Sequence, residues 1–146
     1  MKVKIKNESP YQSPEYAHKT DSGMDIRANL VKPLTLEPGE RCGVPTGIYV
    51  ELPENVEIQV RPRSGLALKK GLTVLNTPGT VDESYRGEIR VILINLDKNP
   101  QTIEPGERIA QLVFANVLRP DEIEVVNEIS EDTDRGTTGF GDSGKF

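Results

Sequence analysis

No stretch of this 146-residue chain holds a helical apolar period for ten residues, and that limits its fold more than any other feature. What recurs instead is the period of a strand. GIYVEL (47 to 52) sets Ile48, Val50 and Leu52 against Tyr49 and Glu51, and EIQVRPR (57 to 63) sets Ile58 and Val60 against Glu57, Gln59 and Arg61. Both predict half-buried strands. IRVILINL (89 to 96) and RIAQLVFANVL (108 to 118) are almost continuously apolar and rich in β-branched residues, which predicts strands buried on both faces.

The 13 Gly and 11 Pro fall between these runs rather than inside them, the punctuation of an all-β domain with many turns. TLEPGER (35 to 41) and TIEPGER (102 to 108) nearly repeat one another. In each, Pro presets the first central position of a turn and Gly supplies the positive φ of the second, so both are expected to be type II turns between strands. A repeat this isolated reflects shared turn chemistry rather than a solenoid.

Length and a hydrophobic content of 35% fit one globular domain. A net charge of -5 leaves no electrostatic footprint for a nucleic acid polymer, and no basic amphipathic helix points to a membrane surface. Cys42 is the only Cys, which excludes an intrachain disulfide, and MKVKIKNESP lacks the apolar run of a signal peptide, so a cytoplasmic protein is expected. His18 is the only His; there is no His/Cys set for zinc and no Ser-His-Asp triad, and His18 reads as a surface residue.

After Leu118 the character changes. Residues 1–118 read as the β-domain, and 119–134 as an arm containing one short strand-like run, IEVV, and a cluster of solvated acids. Residues 135–146, RGTTGFGDSGKF, form a Gly-rich end that is expected to be flexible. Yet two of the three Phe in the protein, Phe140 and Phe146, lie in that end, together with Arg135. A merely solvated tail has no use for them.

Two internal segments carry candidate chemistry. RPRSGLA (61 to 67) ends a strand in two Arg, a Ser and a Gly, where guanidinium, hydroxyl and backbone N–H groups can converge on phosphate oxygens. NTPGTVDESYRG (76 to 87) puts Asp82 between a tight turn and Tyr85: the acid can orient or deprotonate a water, and the ring can lie under a sugar or base. Each segment alone also fits a plain structural role, as solvated arginines at a strand end, a turn acid, and a ring covering the core.

Taken in order, SGMDIRA (22 to 28), RPRSGLA (61 to 67), NTPGTVDESYRG (76 to 87), RIAQL (108 to 112) and RGTTGFGDSG (135 to 144) resemble the five motifs of the trimeric dUTPases. The resemblance spans residues 22 to 144 and implies a distorted jelly-roll barrel of the β-clip type. It also implies a homotrimer with three active sites, each drawing the phosphate-contacting motifs from one chain, the uracil-holding hairpin from another and the C-terminal arm from the third. The implied reaction converts dUTP to dUMP and pyrophosphate with Mg2+, which removes dUTP from the DNA precursor pool and supplies dUMP for thymidylate synthesis.

By the same matching, Asp82 aligns with the residue that activates the attacking water. Tyr85 aligns with the ring against deoxyribose, and Asn76, with Gly79 and Val81 of its hairpin, with contacts to uracil. Arg63, Ser64, Gly65 and Gln111 align with phosphate contacts. In the tail, Arg135 would meet the γ-phosphate, Phe140 would stack on uracil, and Gly141 and Ser143 would contact phosphates. Asp25 aligns with an acid that holds a magnesium-bound water, the direct ligands of the ion being triphosphate oxygens and waters.

Departures from the family pattern are Met24, where an aromatic residue is usual, Thr138, where Gly is common, and Asp142, an acid beside the phosphate-binding run. Asp142 is therefore expected to face solvent. Two rival readings stay open. The dCTP deaminases share the fold but carry a catalytic Glu about ten residues after the hairpin Asp, where this chain has Ile92. A nucleotide- or partner-binding regulator on the same scaffold is the other, although such a module has no need of a water-activating acid.

Overall fold

The computed structural model describes residues 1–141. Among them the chain is nearly all β, in a jelly-roll-like arrangement, with one short helix. The strands are β1 (Lys4–Asn7), β2 (Met24–Arg27), β3 (Leu34–Leu36), β4 (Arg41–Pro45), β5 (Ile48–Glu51) and β6 (Val56–Arg61). Helix α1 (Ser64–Lys70) follows, then β7 (Leu72–Val74), β8 (Gly79–Val81), β9 (Arg90–Asn95), β10 (Gln101–Ile103) and β11 (Arg108–Asn116).

The strands pair antiparallel in four small sheets, in the orders β2-β11-β6-β8, β4-β9-β7, β1-β5 and β10-β3. Their inner faces meet in one core that includes Ile26, Val44, Ile58, Leu93, Ile103 and Leu112. β5 and β6 bear out the alternation in the sequence: Ile48, Val50, Leu52, Ile58 and Val60 are all buried. The largest sheet brings segments 24–27, 56–61, 79–81 and 108–116 side by side, so four stretches far apart in sequence share one surface.

The near-repeat has a structural explanation. β3 and β10 pair with each other, Thr35 opposite Thr102, with their hydroxyls 2.9 Å apart. Beyond each strand the same turn closes: Glu40 N donates to Glu37 O at 2.9 Å, and Glu107 N to Glu104 O at 3.0 Å. Gly39 and Gly106 take φ +80° and +77°, as a type II turn requires. In both turns the second Glu side chain reaches back to accept the first Glu N–H, at 2.8 and 2.9 Å.

Three expectations need correction. β9 is not buried on both faces within this chain: Val91, Leu93 and Asn95 point inward, while Ile92 is 37% exposed. β11 is likewise only partly buried over Val113–Ala115. IEVV forms no strand with its own chain, and Ile123 and Val125 are exposed. The segment after RPR winds into α1, which buries Leu66 and stops at Gly71, a left-handed residue whose N–H returns to Ala67 O.

The one buried polar residue of β9 shows how closely the core is satisfied. Asn95 is fully buried; its Nδ2 donates to Leu36 O and Asn99 O, each at 2.9 Å, and its Oδ1 accepts Asp97 N at 2.8 Å. Asn95→Ala leaves those backbone groups without partners and is expected to destabilise the fold by about 2–4 kcal/mol. Urea unfolding measures this, and an unshifted midpoint would show that the groups find other partners.

Candidate active site

β8 pairs with β6 so that Gly79 lies opposite Val60 and Val81 opposite Ile58. The chain enters β8 through the turn Asn76–Gly79, which contains a cis Thr77–Pro78 peptide, and leaves it through Asp82. Between this hairpin and β9 is a cavity of about 380 Å³, lined by Val60, Asn76, Gly79, Val81, Asp82, Tyr85 and Ile92 among others. That size admits two small linked rings, and its mixed lining of aliphatic side chains and a few polar groups suits a ligand site.

Tyr85 is held in place from three sides. Its N–H donates to Asp82 O at 3.1 Å, closing a turn, and its hydroxyl donates to Glu88 O at 2.9 Å. The ring packs so tightly over Gly87 that an added Cβ there would lie 2.4 Å from the Tyr85 hydroxyl oxygen. Glu88 is fixed in turn, because its Oε1 accepts Thr46 N at 3.1 Å and Gly47 N at 2.8 Å.

A second group gathers where β2 and β6 flank β11. Gln111 lies opposite Asp25 on one side and Arg61 on the other. Arg63 Nε donates to Asp25 Oδ1 at 2.9 Å, and Arg108 Nη1 to Oδ2 at 3.4 Å. Arg63 Nη1 also donates to Arg108 O at 3.2 Å, and Gln111 Nε2 to Pro62 O at 3.0 Å. One carboxylate thus holds two guanidinium groups side by side. Ser64 and Gly65 are exposed in the first turn of α1, where N–H groups have no intrahelical acceptor.

Among the described residues no three His, Cys, Asp or Glu side chains converge to hold a metal ion. Asp25, 31% exposed, is already shared by two arginines. This donor set would fit a cation whose direct ligands are phosphate oxygens and waters, with Asp25 accepting a hydrogen bond from one of those waters.

The tail is separate from both groups. Arg135 Nε donates to Thr138 O at 2.9 Å within its own turn, and Phe140 is fully exposed at φ +52° beside Gly141 at φ +88°. Ser143 and Asp142 lie outside the described residues. The expected site residues thus fall into a hairpin set (Asn76, Gly79, Val81, Asp82, Tyr85), a strand-end set (Asp25, Arg63, Ser64, Gly65, Gln111) and a tail set (Arg135, Phe140, Gly141). None of the strand-end set lines the hairpin cavity.

The dUTPase family model matches residues 9–144. The chain belongs to the dUTPase family. It is 50% identical to the deoxyuridine 5'-triphosphate nucleotidohydrolase of Fusobacterium nucleatum over 99% of this chain and 98% of that protein. It is 55% identical to the enzyme of the same name from Gloeothece citriformis, over 99% of this chain and 97% of the relative. Among solved structures, the Staphylococcus bacteriophage 80alpha dUTPase with dUPNHPP superposes with a TM-score of 0.88 at 30% identity, covering 99% of each chain. A D95N dUTPase from phage phi11 of S. aureus, described with a structural Mg(II) ion, gives 0.78 at 26% identity, covering 88% of this chain and 99% of that one.

The sequence reading did not single out Arg108 and Glu88, which the structure places beside the expected residues Asp25 and Tyr85. Arg108 lies inside the quoted RIAQL segment, three residues before Gln111, where an exposed Arg at a strand start carries no signal of its own. Glu88 directly follows the SYRG run, and its two backbone partners are more than 40 residues away in sequence. Gly87→Ala forces the Tyr85 ring off its seat and breaks the bond to Glu88. It is expected to raise KM for nucleotide about tenfold with little change in thermal stability; an unaltered KM would remove Tyr85 from the binding surface.

Proposed function

We propose that this dUTPase hydrolyses dUTP to dUMP and pyrophosphate by attack of an Asp82-oriented water on the α-phosphorus. The observation that carries this reading is that Asn76, Asp82 and Tyr85 line one cavity of a size suited to a nucleoside. Water oxygen bonds to the α-phosphorus, the α,β-bridging oxygen leaves with pyrophosphate, and the water proton passes to Asp82 or to solvent. Asp82 holds the attacking water in line with the α-phosphorus.

Phosphoryl transfer needs positioning and charge stabilisation more than covalent chemistry. Arg63, Ser64, Gly65 and Gln111 supply donors to the phosphates, and Arg135, Gly141 and Ser143 add contacts from the tail, Arg135 at the γ-phosphate. Asp25 would accept a hydrogen bond from a water on Mg2+, the ion supplying charge neutralisation along the triphosphate when bound. Asn76 and the backbone at Gly79 and Val81 read uracil, which leaves buried donors and acceptors unmatched against cytosine, a mismatch worth several factors of ten. Tyr85 beneath the deoxyribose excludes a 2′-hydroxyl, and Phe140 stacks over the base.

We further infer a homotrimer whose sites combine the hairpin set, the strand-end set and the tail set of different chains. Supporting this, the three sets are separate in one chain and the tail exposes Phe140. The roles given to 119–134 as an arm and 135–146 as a closing segment belong to the same proposal, as do a cytoplasmic setting and the supply of dUMP for thymidylate synthesis. No helix among the described residues is long and apolar enough to cross a membrane. A deaminase is disfavoured because Ile92, at the position its catalytic Glu would need, presents an aliphatic wall to the cavity.

The test is to incubate the protein with magnesium and each of dUTP, dTTP, dCTP and UTP, resolving nucleotides and assaying pyrophosphate. dUMP and pyrophosphate from dUTP alone is the expected result; uracil nucleotide from dCTP would revive the deaminase. Asp82→Asn should lower kcat by about 10²- to 10⁴-fold with nucleotide affinity nearly unchanged, and an active variant would take Asp82 out of the mechanism. Removal of residues 135–146 should leave a folded trimer, by sedimentation, that turns over poorly. Undiminished turnover would contradict any role for the tail.

A further inference from the structure

The loop that carries Asp82 is tied to the root of the C-terminal arm by contacts that the reaction scheme leaves unused. β11 ends at Asn116, opposite Val56 at the start of β6, and Val117 N then donates to Asn55 O at 2.9 Å. Two residues further on, the Arg119 guanidinium forks. Its Nη1 donates to Asn55 Oδ1 at 2.8 Å and its Nη2 to Glu83 Oε2 at 3.2 Å. The same Glu83 oxygen accepts the Asn55 backbone N–H at 2.8 Å, which closes a ring of three residues from three segments.

Asn55 sits at φ +60°, a left-handed conformation that Asn tolerates better than most residues and that the ring depends on. The Asn55 N–H above all, with Arg119 adding to it, keeps the Glu83 carboxyl below the usual carboxylate range. Glu83 directly follows Asp82, and its own carbonyl accepts Arg86 Nη1 at 2.6 Å. Asp82 lies just beyond Val81, the last residue of the ladder with β6, and is exposed. Its place is therefore set on one side by the sheet and on the other by what holds Glu83.

We propose that Arg119, Asn55 and Glu83 form a clamp that sets the position of the Asp82 loop and the direction in which the arm leaves the domain. Glu83 and Arg119 are then positioning residues for dUTP hydrolysis, a role that rests on the reading of Asp82 and the tail given above. A displacement of about 1 Å at a reacting centre can cost a hundredfold in rate. Arg119 and Glu83 are 51% and 31% exposed, and an ion pair so placed contributes little to stability, so the clamp acts on geometry rather than on folding. A planar fork is needed to meet Asn55 and Glu83 together, which the point charge of Lys does not provide.

The test compares full-length Arg119→Ala, Glu83→Ala, the double variant and Arg119→Lys with the parent in dUTP hydrolysis, thermal unfolding and hydrogen exchange of residues 83–86. Each single Ala variant should lose about tenfold in kcat, with KM within about threefold and Tm within about 3 °C. The double variant should be no worse than the poorer single one, since both break one unit, and Arg119→Lys should recover less than half of the loss. Amides 83–86 should exchange faster in every variant. Unchanged kcat and exchange, losses that multiply in the double variant, or losses that follow a matching fall in Tm would each overturn the clamp. A parent chain inactive on dUTP would defeat the proposed function instead, and the exchange comparison, which needs no turnover, would still decide the clamp.

Discussion

The site depends on the pairing of β6 between β11 and β8. One face of β6 buries Val56, Ile58 and Val60 in the core. On its β8 side the strand carries the hairpin that forms the cavity, and on its β11 side it aligns Arg61 with Gln111 and, one strand further, Asp25. Because residues in adjacent antiparallel strands are fixed in register, a slip of one residue would turn these polar groups inward and bury none of the aliphatic ones. The hydrophobic alternation of EIQVR therefore fixes the chemistry as well as the fold.

The division of labour follows from that geometry. A narrow hairpin cavity suits recognition of a base and sugar, while the strand end with two arginines on one carboxylate suits anionic oxygens. Neither alone makes a nucleotide site. Among the described residues, the tail, with an aromatic side chain and glycines of positive φ, contributes nothing to its own chain's core. In the proposed function these three parts act together on one nucleotide.

Much of this was legible in the sequence, for identifiable reasons. Alternation in 47–52 and 57–61 is a local signal, and so is the Pro-Gly chemistry of the two turns; both fold as read. The two long apolar runs misled, because a continuous β-branched stretch looks the same whether its outer face meets core, a cavity or another molecule, and Ile92 meets the cavity. Helix α1 escaped because seven residues with one buried apolar side chain give no period, though Gly71 after Lys69 and Lys70 is a recognisable helix stop. Glu88 and Arg119 act through partners tens of residues away, which no local pattern encodes.

In the proposed trimer, a working site draws its hairpin and its tail from different chains. Mixing the Asp82→Asn protein with the protein lacking residues 135–146, after joint unfolding and refolding, tests it most directly. Each partner alone is expected to be nearly inactive. Random assembly should restore activity in roughly a quarter of the sites, those that combine an intact hairpin from one chain with an intact tail from another. A mixture no more active than its parts would show that each chain completes its own site, and would contradict the account.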